Sequence, residues 1–257
     1  MASVEIRSTQ VILPLDSKGI DLAALWLPEM VEIGATGERP VFFNAATPSV
    51  SWSLMTDSSL RYELKVPSRI TVTGSIKPDN SGFELNLSIT NLSKTQWKQV
   101  LAAVCLQLTP AFSFLDLKRE RTGCVVNSQF RTLNDMKTIG GKPEYLFAFV
   151  KNHPPQQLHG DPTIPDAKWS HTVEKPDDGF IYIRSTDTKK TLWLAWSDSQ
   201  FLQSNTTAAY GCIHSNPFFG NLSPGESSHR RGRLEVLTGS PLEAHQSFLK
   251  EFGESNG

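Results

Sequence analysis

The stretch Arg69-Ile70-Thr71-Val72-Thr73-Gly74-Ser75-Ile76 runs into Lys77-Pro78-Asp79-Asn80-Ser81-Gly82 and then into Phe83-Glu84-Leu85-Asn86-Leu87-Ser88-Ile89-Thr90. Apolar and polar residues alternate in both outer pieces, which places every second side chain on one face of an extended strand. The link is made of residues that start turns or accept a positive φ, so the two strands are expected to pair as a hairpin. Upstream, Arg61 to Val66 alternates in the same way before Pro67. Downstream, Val100 to Leu108 is apolar on both faces, as a central strand covered on two sides would be, and it is expected to be the deepest strand.

The same grammar repeats towards the C-terminus. Gly179 to Ser185 and Thr191 to Trp196 flank the polar link Thr186 to Lys190 and predict a second hairpin. Pro224-Gly225 suits a type II turn ahead of Arg231 to Leu237, a closing strand expected near a sheet edge. Short alternating runs closed by turn residues predict an all-β protein, an antiparallel two-sheet β-sandwich in one domain over residues 1–257. Two stretches depart from this pattern. Ser240-Pro241-Leu242-Glu243 combines an N-cap Ser, Pro at the first helical position and Glu three residues after the cap, which predicts a C-terminal helix over 241–252. Asp21 could cap a helix over Leu22 to Leu27, although that apolar run suits a buried strand equally well. Lys151 to Asp178, with Pro154, Pro155, Pro162, Pro165 and Pro176, reads as a long functional loop.

Composition narrows the partners. The chain of 257 residues carries 25 Lys plus Arg against 26 Asp plus Glu, a net charge of −1, so it lacks the cationic excess that a phosphate backbone demands, and nucleic acid is not an expected partner. Met1 to Gln10 lacks the charged and apolar regions of a secretory signal, and no apolar run is long enough for a membrane span, so a cytoplasmic location without membrane contact is expected. Cys105, Cys124 and Cys212 are odd in number and widely spaced, as buried reduced thiols would be. The sequons at Asn86, Asn91, Asn205 and Asn221 read as turn and strand-edge residues.

Three clusters could carry chemistry. The first joins His214 and Asn216 with Glu226, Arg231 and Arg233. His214 would exchange a proton near neutrality, while Arg231 and Arg233, two residues apart on one strand face, would clamp an anion. The alternative for this pair is a charged face shared with Glu235 and nearby acids. The second, Asp116-Leu117-Lys118-Arg119-Glu120-Arg121, reads as a surface turn with local ion pairs or as the rim of the same cleft. In the third, His153, His159, Asp161 and His171 match no metal-ligand spacing, so neither metal nor cofactor is expected; Cys212-x-His214 is equally uninformative. Trp193 and Trp196, three residues apart, fall on opposite faces of a strand, and Trp196 is expected to be the exposed one, free to stack on a sugar ring.

Phe83 to Leu108, an alternating strand that ends in Thr90-Asn91-Leu92-Ser93 before an apolar strand, resembles the galactose-mutarotase-like β-supersandwiches. Cys212 to Pro217, Leu222 to Glu226 and Arg231 to Leu234 are similar to the end of such domains in a bacterial branch of that group; the resemblance covers about a third of the chain. It implies a fold associated with carbohydrate binding, epimerisation or polysaccharide cleavage. The aldose epimerases of the group carry a His shortly after the Asn-x-Ser turn, where this strand holds Cys105 and Gln107. The resulting expectation is a protein that binds a sugar or anionic small molecule in a cleft of His214, Asn216, Arg231, Arg233, Trp196 and Glu226. An epimerase or lyase using His/Arg acid-base chemistry is one alternative, and a non-catalytic interaction or assembly module is the other.

Overall fold

A computed structural model describes residues 3–4, 8–43, 50–151, 153 and 169–253. The chain begins with β1 (Ser3–Val4), β2 (Gln10–Pro14), β3 (Leu22–Ile33) and β4 (Glu38–Phe42), then forms the meander β5 (Trp52–Leu54), β6 (Leu60–Val66), β7 (Ile70–Pro78) and β8 (Gly82–Asn91). It continues through β9 (Trp97–Gln107), β10 (Thr122–Val126), β11 (Gln129–Thr132), β12 (Thr138–Ile139), β13 (Lys142–Phe149) and β14 (Trp169–Thr172). It closes with β15 (Ile181–Arg184), β16 (Lys190–Trp196), β17 (Ser199–Asn205), β18 (Cys212–Leu222), β19 (Ser227–Thr238) and the helix α1 (Pro241–Phe252). One sheet has ten strands in the order β1-β5-β6-β7-β8-β19-β16-β15-β10-β11. The other has nine, ordered β12-β14-β13-β17-β18-β9-β3-β2 with β4 beside β3, and its one parallel pair is β13 with β14.

The hairpin read from Arg69 to Thr90 is β7 and β8, paired from Ile70↔Asn91 to Pro78↔Phe83. Asp79 closes its turn by accepting from the Ser81 and Gly82 amides at 2.9 and 3.0 Å. The second hairpin is β15 and β16. As its two-faced apolar run requires, β9 lies inside its sheet between β18 and β3. Leu22 to Leu27 resolves as strand, part of β3, and the Asp21 carboxylate accepts from the Ser113 amide at 2.9 Å instead of capping a helix. One expectation fails: β19 is interior, hydrogen-bonded to β8 and β16 along its length. A turn signal marks where a strand begins and carries no information about how many neighbours it acquires.

The inner faces of the two sheets meet in one apolar core, with Leu25, Val104, Leu106 and Ile213 from one side and Val72, Leu87, Leu194 and Leu234 from the other, each buried. Tyr62 joins the layers through its hydroxyl, which donates to the Leu27 carbonyl at 2.6 Å. Trp196 belongs to this core at 1% exposure, its indole lying over Gly232, the residue it pairs with on β19. The predicted alternation of Trp193 and Trp196 is present, but the expected exposed role of Trp196 is not, because α1 seals Trp193 on the opposite face as well.

The two outer faces differ. On the ten-stranded sheet, α1 packs Ala244, Phe248 and Phe252 onto Phe180, Tyr182, Trp193 and Ala195. Its start is the predicted one: Ser240 Oγ accepts from the Glu243 amide, and the Glu243 carboxylate accepts from the Ser240 amide at 2.7 Å. The outer face of the nine-stranded sheet carries a cleft instead. No helix among the described residues is long and apolar enough to cross a membrane.

Candidate functional site

A cleft of about 540 Å³ lies on the outer face of the nine-stranded sheet, within the size range of small-molecule sites. Strand alternation selects its floor. Register places His214 opposite both Cys105 on β9 and Gln203 on β17, while Cys212 faces Gln107 and Asn205, so all six side chains project from the same face. Trp26, opposite Cys105 on β3, extends the floor on one side, and Tyr145 and Phe147 of β13 extend it on the other. Phe147 and Phe201 stack edge to face at 5.3 Å. Glu29, Glu32 and Arg39 form one wall, where Arg39 Nε meets the buried Glu32 carboxylate at 3.0 Å. Tyr210, 56% exposed, stands at the mouth.

The floor is chemically specific. Cys212 Sγ lies 3.3 Å from His214 Nε2. The Cys105 thiol hydrogen-bonds to Cys212, lowering the pKa of Cys212 and raising its own, and the His214 charge lowers that of Cys212 further against the opposing effect of burial. Burial alone would lower His214, but the Cys212 charge beside it outweighs that, and the imidazole titrates above its ordinary value. Two buried nitrogens of cleft-lining residues, Trp26 Nε1 and His214 Nδ1, have no hydrogen-bond partner among the described residues.

Of the residues anticipated from sequence, His214 lines this cleft and Asn216 lies just beneath it. Asn216 holds the floor: its amide donates to Gln203 Oε1 at 2.8 Å and to the Phe201 carbonyl, and its oxygen accepts from the Val104 amide at 3.0 Å. The expected concavity shared by His214, Arg231 and Arg233 does not exist. His214 points out of one sheet and the two arginines point out of the other, on the face that carries α1. Arg231 and Arg233 do share a face, as their spacing requires, but their anions belong to the protein. Arg233 is held by Asp79, Ser81 and Glu235, and Arg231 by Glu251 of α1. Trp196 is in the core, and Glu226 closes the exposed turn before β19 by accepting from the Ser223 amide.

The second cluster is not a surface of local ion pairs. Asp116 accepts from the amides of Arg121 and Thr122 at 2.8 Å, and buried Arg119 donates to the Glu144 carbonyl and to Ser204. In the third, His153 pairs with Asp198 and His171 stands beside Phe149, while His159, Asp161 and most of the Pro-rich loop fall outside the described residues. Sequence reasoning missed Cys105, Gln203, Trp26 and Glu29 as parts of one site because they come from three strands far apart in the chain, β9, β17 and β3. Their one available signal was the polar interruption of an apolar strand at Cys105 and Gln107.

Fold and site together define a two-sheet antiparallel β-sandwich with a polar and aromatic cleft on one outer face. No protein-family model matches the chain, and no curated protein matches it in sequence. Among solved structures it is similar to a galactose mutarotase-like protein from Lactobacillus casei ATCC 334, at 12% identity and a TM-score of 0.48 over 88% of this chain and 89% of that one. It is also similar to the Slr1438 protein from Synechocystis sp. PCC 6803, at 12% identity and a TM-score of 0.46 over 93% and 99% of the two chains. A galactose mutarotase related enzyme from Lactobacillus acidophilus aligns at 11% identity and a TM-score of 0.42 over 93% and 91%.

Proposed function

We propose that the cleft over β3, β9, β17 and β18 binds a small, hydroxyl-rich ring compound of the sugar class. The observation that carries this reading is the pair of buried, partnerless groups Trp26 Nε1 and His214 Nδ1 in a cleft lined also by aromatic faces, amides and the two thiols. Buried polar groups normally have partners, and a ligand's hydroxyl oxygens would supply them while its C–H faces cover Trp26, Phe147 and Tyr210. Glu29 and Glu32 share one wall with Arg39, an excess of negative charge there, so a neutral sugar fits better than the anionic small molecule that was the other expectation. An acid-base step here would have His214 available but not Arg231 or Arg233.

A thermal-shift panel of neutral sugars, uronic acids and sugar phosphates tests this. A ligand at about 100 times its dissociation constant adds about 2.7 kcal/mol to the folded state, roughly 5–10 °C in a chain of this size. The expected result is a shift with a neutral sugar that shrinks in Tyr210→Ala, an exposed position whose truncation leaves the core intact. A panel without any shift, or a shift indifferent to Tyr210→Ala and Glu29→Gln, overturns the reading.

A further inference from the structure

Cys105, Cys212 and His214 form the one group of three Cys, His or acidic residues among the described residues whose donor atoms all lie within 4.8 Å of one another. Two paired strands supply all three. Cys105 faces His214 across β9 and β18, and Cys212 lies two residues from His214 on the same face, so the donors sit on a hydrogen-bonded floor and not on a loop. A zinc ion bound at about 2.3 Å from sulfur and about 2.0–2.1 Å from nitrogen with tetrahedral angles holds those two atoms about 3.5 Å apart. The 3.3 Å between Cys212 Sγ and His214 Nε2 is close to that separation before any ion enters. With Nε2 turned to the sulfur, Nδ1 is left buried and partnerless, aimed away from the thiols. Two thiols and an imidazole are a soft to borderline donor set, which favours Zn²⁺ and disfavours Ca²⁺ or Mg²⁺.

We propose that Cys105, Cys212 and His214 bind one Zn²⁺ ion through two thiolates and one imidazole nitrogen, with the fourth coordination position open to the cleft. The proposal goes beyond the sugar-class reading and does not depend on it. Each bound sulfur exchanges its S–H bond for an S–Zn bond, and any proton still on it leaves to solvent, so affinity falls as the pH is lowered. Three protein ligands with one open position is the arrangement of sites where zinc holds water or a substrate oxygen, in contrast with closed structural sites. Sequence spacing alone gives only Cys-x-His; the third ligand comes from a strand more than a hundred positions away, and only the register reveals it.

The test uses the full chain, reduced with a phosphine, stripped by a chelator and titrated with Co²⁺ as a spectroscopic stand-in for Zn²⁺. The expected result is saturation at one ion per chain, with the intense visible bands of tetrahedral cobalt, a near-ultraviolet thiolate-to-cobalt band, and displacement of both by Zn²⁺. Cys105→Ser and Cys212→Ser should each weaken the thiolate band to half or less, and Cys124→Ser, buried in the core outside the cleft, should keep it in full. Weak bands of octahedral cobalt, no band at all, or a band of undiminished intensity in Cys212→Ser overturns the proposal. Should a serine variant fail to fold, the wild-type chain still decides the matter, because zinc must raise its melting temperature more at alkaline than at acidic pH. A zinc shift independent of pH would sink the idea.

Discussion

Asp79 shows how the role of a single side chain, Arg233, came to be misassigned. Its carboxylate closes the β7–β8 turn and also takes the Arg233 guanidinium, with 3.0 Å from Nη2 to Oδ1. Arg233 holds the carboxyl well below the usual carboxylate range. The stabilisation from a depressed carboxylate is complete above the unfolded-state value of about 3.9 and is lost as the pH falls from there through the lower folded-state value. Asp79→Asn should therefore lower the urea midpoint clearly near neutral pH and by less at about pH 2.5, where protonation of the unfolded chain has already removed part of this contribution. An equal deficit at both pH values would show that the ion pair contributes nothing. The spacing of Arg231 and Arg233 was legible as a shared face. Which anion they would meet was not, because Asp79 lies more than a hundred positions earlier and becomes a neighbour only when β8 pairs with β19.

At the scale of elements, local signals were the most reliable. The capping box at Ser240 and Glu243 and the link Lys77 to Gly82 act over a few residues, and both were legible. The rank of a strand within its sheet is a long-range property, and the interior position of β19 carried no local mark. Trp193 and Trp196 make the same point: alternation separated them correctly, but coverage by α1 and by the second sheet came from distant chain. Ser240→Ala removes the half of the capping box in which Ser240 Oγ accepts from the Glu243 amide, leaves the half donated by the Ser240 backbone, and should cost about 1 kcal/mol in chemical denaturation. An unchanged midpoint would mean that packing of Phe248 and Phe252 alone holds α1 in place.

Across the molecule, the two sheets present opposite outer surfaces, one dry beneath α1 and one concave and polar. The sandwich class was legible because alternation is a property of each strand; the location of the cleft was not, because it depends on which outer face acquires the helix. Truncation before Pro241 should uncover Phe180, Tyr182 and Trp193 and raise both dye binding and self-association in light scattering. A truncated chain that stays monomeric and dye-free would show that α1 is dispensable as a cover. The chain leaves α1 at Phe252 on the side remote from Cys212 and His214. A tether attached to α1 at exposed Lys250 would accordingly anchor the protein to a sensor chip with its recognition hollow turned to the flowing sample.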